Sequence, residues 1–76
     1  MREVILEVLQ SIRADAEFEK SEDFIEDGFL DSFEIVDLVS ELEDRFLIEI
    51  RGTDIIPENF TNLDTIAALV EKYQEG

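Results

Sequence analysis

Apolar residues recur every three or four positions in three separate stretches of this chain, and little else in it can hold a fold together. Ile5, Val8, Leu9 and Ile12 share one side of a helix between Met1 and Ala14. Ile35, Leu38, Val39, Leu42 and Phe46 do the same for a second helix that starts behind Asp31 and runs to about Phe46. Leu63, Ile66, Leu69, Val70 and Tyr73 form the stripe of a last helix beginning near Thr61, where Thr61 and Asp64 stand at capping-box spacing. The chain has 76 residues and no Cys, so no disulfide can staple it, and with no His either, zinc and redox-metal sites lack their usual ligands. With 45% of its residues hydrophobic, it can still bury a small core. The expected fold is all-α, a single domain over residues 1–76 with three main helices and one short one.

Between the helices the pattern changes. Asp15 to Leu30 has no helical period and reads as a long loop pinned by Phe18, Phe24, Ile25 and Phe29. An irregular loop of that length in a compact domain usually has a functional reason. Phe46, Ile48 and Ile50 alternate with Leu47 and Glu49, which predicts an extended connector ending at Gly52. Thr53 to Phe60 has room for one short helical turn, kept brief by Pro57, which disfavours helix at Ile56.

Charge narrows the function. There are 21 acids against 6 bases, a net charge of −15. Nucleic acid and anionic membranes would be repelled, since both are bound through Lys and Arg. No apolar run is long enough for a signal peptide or membrane span, and the chain reads as a cytoplasmic monomer whose partner would have to be basic, or a cation. From Ser21 to Asp44 there are ten acids and no base. Glu34, Asp37, Glu41 and Asp44 stack along one face of the second helix. Each like-charged neighbour pair costs about 0.2–0.5 kcal/mol, which interspersed Lys would remove. The face therefore reads as a docking surface for basic partners, with Phe33 and Val36 beside it as a small apolar contact patch. An ordinary solvated helix face is the alternative reading.

Ser32 lies where that helix begins, in Asp27-Gly28-Phe29-Leu30-Asp31-Ser32-Phe33. Asp31 suits the N-cap, so Ser32 is not needed there. As a nucleophile it lacks a general base: the chain has no His, and no Lys lies between residues 21 and 71. A hydroxyl to be modified by another enzyme is the remaining reading. A phosphate ester at this position would sit by the positive end of the helix dipole.

This stretch, followed by Ile35, Val36, Leu38 and Val39, resembles the 4′-phosphopantetheine attachment site of acyl carrier proteins, and the resemblance in size, acidity and helix order covers nearly the whole chain. It implies a four-helix bundle with no enzymatic activity of its own. It further implies that Ser32 carries a covalent 4′-phosphopantetheine beside its helix cap Asp31, and that Phe33, Glu34, Val36, Asp37, Glu41 and Asp44 meet partner enzymes. Those partners would be a phosphopantetheinyl transferase, a loading ligase and downstream transferases. The arm would come from coenzyme A by a Mg²⁺-dependent phosphoryl transfer, with the transferase supplying the base. Many fatty-acid carriers have Gly-Ala before Asp-Ser and Leu after it. Gly28-Phe29-Leu30-Asp31-Ser32-Phe33 is more similar to the D-alanyl carriers and other free-standing carriers of amino-acid or specialised acyl groups, in cell-envelope or secondary-metabolite synthesis.

Two readings of another class compete. Asp23, Asp27, Asp31 and Glu34 fall at positions 1, 5, 9 and 12 of an EF-hand calcium loop, with Gly28 at position 6, but Ile25 stands where a third oxygen ligand belongs. The other is a plain acidic protein-interaction bundle with Ser32 unmodified.

Overall fold

The computed structural model describes residues 1–75. Three α-helices carry the fold: α1 (Arg2–Ile12), α2 (Ser32–Phe46) and α3 (Leu63–Glu75). No strand occurs among the described residues. Each predicted stripe lies against a common core. Ile5, Val8 and Leu9 from α1, Ile35, Leu38, Val39 and Leu42 from α2, and Ile66, Leu69 and Val70 from α3 are all buried in one cluster. Ile12, Phe46, Leu63 and Tyr73, at the edges of the stripes, are half-buried against it. α1 packs on both other helices. Arg13, just past the end of α1, meets Glu34 in the first turn of α2, and Arg45 near the end of α2 reaches Glu7, so α1 and α2 run antiparallel.

The long loop after α1 is ordered by its aromatic residues, which compensate for its lack of regular structure. Phe18 sits in a 3-10 turn (Phe18–Lys20), and its ring meets those of Phe24 and Phe29 edge-to-face at 5.0 and 5.6 Å. Phe18 and Phe24 are fully buried. The Phe24 carbonyl accepts hydrogen bonds from the Phe29 and Leu30 amides, and the Phe24 amide donates to the Thr61 carbonyl, tying the loop to the start of α3.

The expected fourth helix is instead a pair of 3-10 turns, Gly52–Asp54 and Pro57–Phe60. Ile56 is extended, as the residue before a proline prefers to be, and four residues then leave room only for short-range bonds such as Asn59 N–H to the Ile56 carbonyl. The cap of α3 also lies one residue later than Thr61. Thr61 is already in helical conformation, which an N-cap cannot be, and its hydroxyl donates back to the Pro57 and Glu58 carbonyls. Asn62 caps in its place: its Oδ1 accepts from the Thr65 amide at 2.9 Å, while Thr65 Oγ1 accepts from the Asn62 amide at 3.1 Å. Asp64 is freed to pair with Arg2 at 2.6 Å.

The connector after α2 alternates as predicted from Leu47 to Ile50, with Ile50 buried and Leu47 and Glu49 exposed. Leu47, however, is left-handed (φ 55°), so α2 ends on a conformation more often given to glycine. The connector is strapped from both sides. Glu43 accepts the Ile50 amide at 2.9 Å, and the Tyr73 hydroxyl accepts the Arg51 amide at 3.1 Å while donating to Asp54. Lys72 Nζ adds a 2.9 Å contact to the same Asp54 oxygen. The Tyr73 hydroxyl, and after it Lys72, hold the Asp54 carboxyl below the usual carboxylate range. A carboxylate whose folded pKa is depressed contributes stability above its unfolded pKa and loses it as the pH falls through the folded one. Asp54→Asn should therefore melt lower than wild type at neutral pH, and the two melting temperatures should converge on acidification. A gap that persists at low pH would mean that the charge of Asp54 is not what holds the connector.

Candidate functional site

Ser32 is the first residue of α2 and is exposed. The segment before it is shaped by three local devices. Asp23 Oδ1 accepts the Ile25 and Glu26 amides and starts a turn. Ser21 donates its hydroxyl to the Asp27 carboxylate. Gly28 then reverses the chain with φ at +75°, a conformation that disfavours a side chain, although nothing nearby would obstruct one. Leu30 is buried at 3% exposure, which fixes the depth at which Asp31 and Ser32 emerge.

The cap itself is reciprocal. Asp31 Oδ1 accepts the Glu34 amide at 2.8 Å, and Glu34 Oε1 accepts the Asp31 amide at 3.1 Å. Ser32 is therefore spared from capping. The amides of Ser32 and Phe33 belong to the first turn, where an α-helix leaves its N–H groups without internal partners. An exposed hydroxyl at the positive end of a 15-residue helix suits a phosphodiester, because the ester's negative charge meets the dipole and those amides. Among the other three serines, Ser11 donates to the Val8 carbonyl and Ser21 to Asp27, while Ser40 lies exposed further along α2.

Along α2, Asp37, Glu41 and Asp44 are exposed, and Phe33 and Val36 stand 81% and 61% exposed beside Ser32. Glu34 differs from the three other acids grouped with it. Its side chain is only 17% exposed, committed to the cap and lying 3.6 Å from Arg13. The signal for this was present in the Asp31-x-x-Glu34 spacing, which is that of a capping box. Arg13 is a second feature that the sequence pattern did not single out. Its guanidinium grips Asp15 through Nε and Nη2, both at 3.1 Å, and this pairing holds the Asp15 carboxyl below its usual range.

The geometry gives the EF-hand reading no support. Asp23 is spent on its own turn, Asp27 on Ser21, and Asp31 and Glu34 on each other. Among the described residues no three carboxylates converge as a metal site would need.

The fold is thus all-helical, with an exposed serine at the head of an acidic helix. The family model described as "Phosphopantetheine attachment site" matches residues 1–72, and the chain belongs to that family. Members serve as carriers of acyl or aminoacyl groups on a covalent 4′-phosphopantetheine. Curated relatives include the D-alanyl carrier protein of Lactococcus lactis subsp. cremoris, 31% identical over 74 residues, spanning 95% of this chain and 94% of the relative. The D-alanyl carrier protein of Lactococcus lactis subsp. lactis is 29% identical over 77 residues, spanning 99% and 98%. No solved structure gives a significant match.

Proposed function

We propose that Ser32 receives the 4′-phosphopantetheine arm and that the whole chain acts as one free-standing, monomeric carrier domain in the cytoplasm, ferrying an aminoacyl group, with D-alanyl as the leading candidate. The observation that carries the reading is the exposure of Ser32 at the first position of α2 while Asp31 and Glu34 do the capping. When bound, the arm supplies a thiol on a long tether, which a chain without Cys cannot otherwise offer.

The chain's own residues present and recruit; they do not catalyse. Ser32 Oγ forms the new bond to phosphorus, its proton passes to the transferase, and the nucleotide portion of coenzyme A departs. With no His in the chain, the base belongs to the partner. Asp37, Glu41 and Asp44 draw basic patches of the transferase and the loading ligase, speeding encounter more than tightening the complex, while Phe33 and Val36 supply the dry contact. Tethering then makes each reaction of the cargo on a docked enzyme quasi-intramolecular.

Support for a small, solvated cargo comes from the relatives' names and from the core. Phe18, Phe24 and Phe60 are fully buried and occupy the volume between the helices, whereas Phe33 points outward. A fatty acyl cargo, the second reading, would have to displace those rings to be sheltered.

Intact mass tests the proposal. With coenzyme A, Mg²⁺ and a broad-specificity phosphopantetheinyl transferase, the chain gains the mass of the arm. With an adenylating ligase, ATP and D-alanine it then gains a hydroxylamine-labile alanyl group. Reversing Glu41 and Asp44 to Lys slows the first step at low salt and flattens its salt dependence. A chain that stays unmodified overturns the carrier assignment to Ser32, and unchanged rates for the reversed pair reduce the acidic face to a solvated surface.

A further inference from the structure

We propose that Arg13 is a positioning residue for Ser32, clamping the two chain segments that flank it; this rests on the attachment reading above. Arg13 has left the helical path of α1, at φ −134° and ψ 83°, so its side chain is free to face the neighbouring loop. Two nitrogens, Nε and Nη2, are fixed by the Asp15 carboxylate at 3.1 Å each, which sets the plane of the guanidinium. That plane aims Nη1 at two targets: the Gly28 carbonyl at 3.4 Å and Glu34 Oε2 at 3.6 Å.

Both targets bear on Ser32. Gly28 is where the loop reverses on its way to the helix, and Glu34 holds the Asp31 amide through its other oxygen. One side chain thus ties down the approach to Ser32 and the turn that follows it. The separate contacts are long and partly exposed, and pairs of that kind add little to stability. Their consequence is orientation. A planar fork reaches Asp15, Gly28 and Glu34 together, whereas a lysine ammonium is a point charge that must choose among them.

The test is steady-state kinetics of arm transfer to the full-length chain, with Arg13→Ala, Arg13→Lys and Glu34→Gln compared to wild type well below their melting temperatures. Arg13→Ala should lower kcat about tenfold, less than the ~100-fold that a 1 Å misplacement of a reacting group can cost, with KM nearly unchanged because the Asp37, Glu41 and Asp44 face is intact. Arg13→Lys should fail to restore kcat although the charge is kept. In the Glu34→Gln background, Arg13→Ala should add less than its separate effect, since it acts partly through Glu34. The clamp is overturned if kcat is unchanged, if the whole loss falls in KM, or if the loss follows the unfolded fraction seen by circular dichroism. Wild type failing to accept the arm would instead overturn the attachment reading, and the clamp with it; normal modification of both wild type and Arg13→Ala overturns the clamp alone.

Discussion

Ser32→Ala leaves a folded chain that gains no mass from coenzyme A and a phosphopantetheinyl transferase. The expectation has two halves, and the cap geometry supports both. Folding is spared because Asp31 and Glu34 exchange their hydrogen bonds without the serine, and because alanine is well tolerated on an exposed helical turn. A surface change of this kind moves stability by no more than about 0.5 kcal/mol. Modification is lost outright because no other hydroxyl stands in the same place. Ser11 and Ser21 are each engaged by an acceptor, and Ser40 lies two turns further along α2, away from the first-turn amides. Intact mass and a thermal melt on the same sample separate the halves. Residual arm on the variant would move the attachment point to another residue, with Ser40 the first to examine, and a collapsed melt would mean that Ser32 supports the fold in a way its surroundings do not suggest.

The sequence carried the helices and the Asp31 cap, but not the contacts that hold them in place. Periodicity was sufficient for the three stripes, since each had four or five apolar residues repeating in register and no competing period. Asp31 was legible as a cap because it stands just ahead of the Ile35, Leu38, Val39 and Leu42 stripe. The start of α3 was not, because Thr61-x-x-Asp64 and Asn62-x-x-Thr65 offer overlapping capping patterns one residue apart. Long-range structure decides between them: the Thr61 carbonyl is taken by the Phe24 amide while Thr61 is still inside the preceding turn. Arg13 was hidden for the same reason. Its targets lie 15 and 21 positions along the chain, and only the folded path of the loop brings them beside the end of α1. Local rules give caps and stripes; contacts across an irregular loop depend on where its anchors settle.

The largest stability effect should come from that loop. Phe24→Ala removes a ring with 0% exposure, and buried phenylalanine truncations cost about 3–5 kcal/mol. A domain of this size is stable by about 4–11 kcal/mol in all, at the usual per-residue range. One substitution thus cancels a large fraction of the total. Two further losses add to the cavity. The edge-to-face pairing with Phe18 at 5.0 Å disappears, leaving the Phe18 ring its contact with Phe29. The Phe24 backbone remains, but its three hydrogen bonds, to Thr61, Phe29 and Leu30, lose the anchor that keeps them aligned. With −15 net charge the folded state also works against its own repulsion, so little reserve is expected at low salt. Thermal and urea melts should place Phe24→Ala at or near the unfolded limit at low ionic strength, with partial recovery as salt screens the acids. Phe24→Leu, which refills most of the space, should recover much of the loss. Arm transfer should fall in proportion to the unfolded fraction, with the kcat of the remaining folded molecules little changed, unlike the kcat effect expected at Arg13. Near-normal stability for Phe24→Ala would mean that the loop's order comes from its polar turns around Asp23 and Asp27, not from the aromatic residues beneath them.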